Sequence, residues 1–164
     1  MRLNNNWMKA GALTAALGVV LGAFASDALG GYVTEKYAGQ ALTVLGRSVP
    51  AASKYMDDLR TAAIYQLVHA LAIVFVGLLM MHRPRVMLRI AGWCFLVGVV
   101  CFSGSEYLRV LADLQWLGPV RLIGGLLLVG GWIAVVEGAC PGDNPRSDPE
   151  AEAESVESTS ETKS

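Results

Sequence analysis

Residues 62–81 read AAIYQLVHALAIVFVGLLMM, twenty positions without an Asp, Glu, Lys or Arg. A helix rises 1.5 Å per residue and needs about 20 residues to cross ~30 Å of hydrocarbon. In lipid the backbone must satisfy its own hydrogen bonds, which makes this run a helix. Strands of a membrane barrel would be shorter and would alternate in polarity. Three further runs have the same character: Met8 to Leu29, Ile90 to Leu108 and Leu117 to Val136. The expected fold class is all-α, a four-helix transmembrane bundle running up-down-up-down.

Composition agrees. Hydrophobic residues make up 54% of the 164 positions and charged residues 16%, against roughly 25% charged in soluble domains. The net charge of −1 draws in neither nucleic acid nor any strongly charged partner. From Pro141 the character changes. Asp143 to Ser164 holds seven acidic and two basic residues and almost nothing apolar. Such a segment buries too little surface to fold. The chain therefore divides into a transmembrane domain, residues 1–140, and a disordered acidic tail, residues 141–164. Cys94 and Cys101 sit in an apolar run as small hydrophobes. Cys140 reads as a surface thiol, with acylation as the alternative. No disulfide framework, metal motif or cofactor is indicated.

The first run has a rival reading. Arg2 and Lys9 precede it, and Ala23-Phe24-Ala25 before Ser26 resembles a signal-peptidase site. The run stays apolar to Leu29, which favours retention. Between Gly30 and Arg60 lies a polar stretch, and nothing breaks a helix from Ala51 onward. His82 to Arg89 reads as a short turn, and Asp113 to Trp116 as a link. Four spans place both termini and the Arg83 turn on one side, with seven Lys and Arg against six on the other. The totals decide nothing, but three arginines fall within seven residues at the turn, so both termini are expected in the cytoplasm.

The polar residues gather toward the opposite face. Asp27 ends the first run, Tyr65, Gln66 and His69 lie early in the second, Ser103, Ser105, Glu106 and Arg109 late in the third, and Arg121 early in the fourth. Tyr65, Gln66 and His69 share a helix face, and Glu106 and Arg109 are three apart. Ionisable groups in spans usually face the bundle interior and pair. Arg109, Arg121 and His69 are the candidate partners of Glu106, in a cluster linking the helices. The plainer alternative is that Glu106, Arg109 and Arg121 snorkel to the interface. Small residues mark packing faces: Gly18 and Gly22 form a GxxxG, and Gly124 and Gly125 stand in the fourth run. Trp7, Trp93, Trp116 and Tyr107 fit interfacial anchors.

Several stretches form an ordered set. Gly22 to Leu29 is similar to a GAFGAHAL signature, Ala63 to Leu71 to an AxxYQxxHAL motif, and Ala91-Gly92-Trp93 with Phe102 to Leu108 to a third. Gly124-Gly125 with Gly131-Trp132 is similar to a fourth. The set resembles the domain of unknown function 423 family of small integral membrane proteins (YgdD/YwdK-like), over nearly the whole chain except the tail. The resemblance implies four retained membrane helices and no characterised activity. Two departures matter. Asp27 stands where the family has histidine, so any ligand or proton-carrying role of that histidine is altered here. Leu122, with Pro119 nearby, stands where the family has proline.

Three function classes follow. The first is a non-enzymatic scaffold or accessory subunit in a bacterial-type inner membrane, contacting the lipid bilayer and a homo-oligomeric or membrane-protein partner. The second is a small-solute or proton-coupled transporter using Asp27, Gln66, His69 and Glu106. The third is an intramembrane enzyme pairing His69 with Ser103 or Ser105. The absence of any catalytic constellation favours the first.

Overall fold

The computed structural model describes residues 2–139, the side chains of residues 2–5 and 24–28 excepted. The side chain of Asp27, Cys140 and the acidic segment 141–164 lie outside the described residues.

The charge-free run from Ala62 is the inner part of a longer helix, α2, Ala51–His82. It ends at His82 because Arg83 precedes Pro84. A residue before proline is pushed out of the helical region, and Arg83 is extended at φ −143° and ψ 92°. The turn is shorter than expected, since α3, Val86–Val99, already contains Arg89. α1 spans Arg2–Lys36 and overruns its apolar core at both ends. α3 passes through a π turn, Val100–Gly104, into α4, Ser105–Leu111. A 3-10 turn at Gln115–Leu117 leads into α5, Gly118–Ala139.

Successive rods are antiparallel, and close glycine contacts fix their pairing. α1 lies along α2, with Gly11 against Val74 and Gly18 against Leu67. α3 lies along α5, with Gly98 against Leu128 and Gly131 against the Phe95 ring. Ser103 joins the two pairs by donating to the Ala62 carbonyl at 2.8 Å. Among the described residues, three helical stretches are long and apolar enough to cross a bilayer: Ala51–His82, Val86–Leu111 and Gln115–Ala139. The apolar core, with Ile73, Val76, Leu88 and Phe95 at its centre, fills the half of the molecule nearest the Arg83 turn.

One element departs from the all-helical expectation. β1, Ala41–Val44, pairs antiparallel with β2, Arg47–Pro50, placing Leu42 opposite Val49. A hairpin this short is marginal alone. It is anchored by Leu42 on a second core of Val33, Tyr37, Tyr55, Leu59 and Val110. Lys36 and Tyr37, at the end of α1, complete the anchor. Lys36 Nζ donates to the Leu111 carbonyl at 2.9 Å, and the Tyr37 hydroxyl to the Val110 carbonyl at 3.0 Å. These carbonyls end α4 and lack helical partners, and a cation there complements the helix dipole. Burial pushes the Tyr37 hydroxyl above the usual tyrosine pKa range, although neighbouring Lys36 opposes the shift; the group remains a donor.

The hairpin turn has positive φ at both central residues, Leu45 at 50° and Gly46 at 76°, as a two-residue I′ turn requires. Leucine there is strained, and its side chain is 99% exposed. Leu45→Asn is expected to stabilise the hairpin by up to ~1 kcal/mol, because asparagine tolerates this region. Slower hydrogen exchange at the Val44 and Arg47 amides would register the gain, and unchanged exchange would count against strain.

Candidate functional site

The periodicity of α2 builds one wall of the site. Asp58, Ala62, Gln66, His69 and Ile73 are spaced by three or four residues and share the buried face. Opposite stand Ser105, Glu106 and Val110 of α4, also buried, and Arg121 in the first turns of α5. The π turn sets the phase of α4. One extra residue in a helical turn rotates everything beyond it, and here Ser103, Ser105 and Glu106 all turn inward.

Two buried carboxylates hold three cations. Glu106 is 2% exposed and Asp58 5%, so these are not solvent-screened surface pairs. Arg109 Nη2 donates to Glu106 Oε1 at 2.7 Å and to Asp58 Oδ2 at 3.0 Å. Arg121 Nη1 donates to Glu106 Oε2 at 3.2 Å and lies 3.7 Å from Asp58 Oδ1. Lys54 pairs with Asp58 Oδ1 from one turn away. The Arg121 guanidinium also lies 5.3 Å from the Phe102 ring centroid. Charges taken out of water are tolerated when paired and hydrogen-bonded in this way.

A second layer lies deeper. Gln66 donates to the Thr14 carbonyl of α1 at 3.1 Å and accepts from the Tyr107 hydroxyl at 3.0 Å. Tyr107 thus links helices as well as standing near the polar end. His69 lies beyond. Its Nδ1 is 2.8 Å from the Tyr65 carbonyl, and its Nε2 accepts from Trp132 Nε1 at 3.3 Å. An indole N–H only donates and a carbonyl only accepts. The partners therefore assign the neutral Nδ1–H tautomer. Tyr65 is half-exposed and stacks on Phe102 at 4.8 Å between centroids. Ser103 and Ser105 donate to the carbonyls of Ala62 and Phe102.

The structure thus brings Glu106 together with Arg109 and Arg121 but places His69 elsewhere, bonded to Trp132. Asp58 and Lys54 join the network from a segment that reads as solvated polar chain. Their signal is helical phase, since Asp58 precedes Gln66 by eight residues and His69 by eleven. Of the packing glycines, Gly18 and Gly22 face Leu67 and Ala63 of α2, so this chain itself occupies the GxxxG. Gly124 meets the backbone of Phe102, whereas Gly125 makes only ordinary contact with its ring. Trp7 lies against Gly92 and edge-on to Trp93, 5.5 Å between centroids, as a packing residue.

Residues 21–125 match the family model described as Protein of unknown function (DUF423). The chain belongs to this family. A UPF0382 membrane protein of Staphylococcus haemolyticus is 31% identical over 126 residues, which cover 77% of this chain and 88% of the relative. One of Staphylococcus aureus is 32% identical over the same shares. The UPF0382 membrane protein YwdK of Bacillus subtilis is 29% identical over 130 residues, 79% of this chain and 91% of the relative. No solved structure matches. The family match spans the α2 stripe, Glu106, Arg109 and Arg121, and with the apolar helices it makes this chain a membrane protein of an uncharacterised family.

Proposed function

We propose that this chain is a four-span protein of the bacterial plasma membrane, acting without catalysis as a scaffold or accessory subunit for a membrane partner. The observation that carries this reading is how the buried polar side chains are used. Gln66, Ser103, Glu106, Asp58 and His69 each bond to a neighbouring helix. Beyond His69, toward the Arg83 turn, the core is apolar, built from residues such as Ile73, Val76, Met80 and Leu88. Bonds of this kind fasten helices to one another, and among the described residues no polar track continues past them. His69 and the two serines are engaged with Trp132 and with backbone carbonyls, which supports the non-enzymatic reading.

α1 supplies the fourth span. Its small residues face α2, while Leu13, Leu17, Val19 and Val20 point outward, 49–74% exposed. An apolar stripe of this kind suits lipid far better than water. The Arg83, Arg85 and Arg89 cluster supports cytoplasmic termini.

Crosslinking in intact membranes, followed by mild solubilisation and mass spectrometry, is expected to recover one reproducible membrane partner. In reconstituted vesicles the protein should pass no proton or small-solute flux. A flux abolished by Glu106→Gln would replace this reading with that of a transporter. A C-terminal reporter enzyme active only outside the cytoplasm should stay silent, and activity would reverse the orientation.

A further inference from the structure

A cleft of about 300 Å³ opens directly above the ion network. That is the volume of about ten waters at ~30 Å³ each. Lys54, Asp58, Arg109 and Arg121 line it, together with Thr43 of β1 and Gln115. We propose that this cleft binds a phosphate-type oxyanion, a role beyond the scaffold reading and independent of it.

The case rests on counting donors against acceptors. Three cations face two carboxylates, leaving one positive charge in excess. All four carboxylate oxygens already lie against a cation: Lys54 and Arg121 at Asp58 Oδ1, Arg109 at Asp58 Oδ2 and Glu106 Oε1, and Arg121 at Glu106 Oε2. The carboxylates are therefore neutralised toward an incoming anion. The cations are not used up. Arginine carries five N–H donors and lysine three. Among the described residues, Arg109 forms its ion pairs through Nη2 alone and Arg121 through Nη1 alone. Arg109 Nε is buried with no acceptor at all. The network is short of acceptors, not of donors.

An oxyanion in the cleft can accept from the partly exposed head groups of Lys54, Arg109 and Arg121, and guanidinium forks match phosphate geometry. The cleft lies at the polar end of the spans, near the exposed Trp116, a depth that both a lipid headgroup and a soluble phosphate can reach.

Two arms using the full-length protein separate these sources. In the first, micelles of the protein receive equimolar phosphatidylglycerol and phosphatidylcholine with matched acyl chains, and native mass spectrometry reads which lipid is retained. In the second, lipid-depleted protein receives inorganic phosphate, and the shift in Tm is read. Lys54→Gln is the primary variant because Asp58 keeps Arg109 and Arg121. Arg121→Gln is the second. Losing one charge-assisted hydrogen bond should weaken binding about tenfold.

A phosphatidylglycerol preference cut about tenfold by Lys54→Gln identifies a lipid headgroup. A Tm rise with phosphate alone, lost in Lys54→Gln, identifies a soluble oxyanion. Arg89→Gln, at the opposite end, should leave either response intact. The proposal is overturned if the wild type shows neither response, if both cleft variants respond as the wild type does, or if Arg89→Gln alone abolishes the response.

Discussion

Replacing Gly124 with alanine is expected to destabilise the protein by about 3 kcal/mol, the upper end of the usual range for overpacking. A Cβ there would lie 2.4 Å from the Phe102 nitrogen, 2.8 Å from its Cα and 2.9 Å from the Cys101 carbonyl carbon. These are backbone atoms and cannot swing aside as a side-chain tip can. The helices would have to part, loosening the neighbouring Leu128–Gly98 and Phe95–Gly131 contacts as well. Gly125→Ala is the matched control, since its Cβ would meet only the Phe102 ring, at 3.8 Å. It should melt like the wild type. Thermal or denaturant unfolding in micelles distinguishes the two variants, and indistinguishable curves would contradict the close approach of α5 to the π turn.

The second large effect is expected at Glu106. Glu106→Gln leaves Arg109 and Arg121 to share Asp58, and removing one partner of a buried ion pair typically costs about 3–5 kcal/mol. Arg121 is about a third exposed, so water compensates part of its loss and the lower end of that range applies here. Combining Glu106→Gln with Arg121→Gln should cost less than the sum of the two single changes by about 1 kcal/mol, as expected for direct partners. The exposed Arg60–Asp57 pair, at 3.7 Å, gives the contrast. Arg60→Gln should fall within experimental error, because exposed pairs contribute little. Additive effects at Glu106 and Arg121 would show that the network does not act as a unit.

The helices are legible in the sequence because lipid imposes a length and a composition that any apolar run displays openly. The Glu106 and Arg109 pairing is legible because a spacing of three is local. The rest depends on longer range or on subtler signals. Asp58 lies four residues before Ala62, where the apolar run begins, within a stretch whose Lys54, Asp57 and Arg60 look solvated. Only the phase carried back from Gln66 reveals that Asp58 faces inward. The hairpin escaped because four-residue strands show too little alternation, and Leu45-Gly46 lacks the usual asparagine or aspartate signal. Depth along the chain groups His69 with Glu106. Trp132, sixty-three residues away, takes its place as partner, and nothing local announces that contact.

The π turn at Val100–Gly104 has a further consequence. A helix advances about 100° per residue, and a π turn takes up about one residue more than an α turn, so it offsets the phase of all that follows by about that angle. Deleting one residue between Val100 and Gly104 would restore an unbroken α-helix and leave Glu106 and Arg109 near their present heading. Tightening the turn to α geometry at full length would instead swing both by about 100°, away from Asp58. The chain thus stores the aim of its charged residues in the width of one turn.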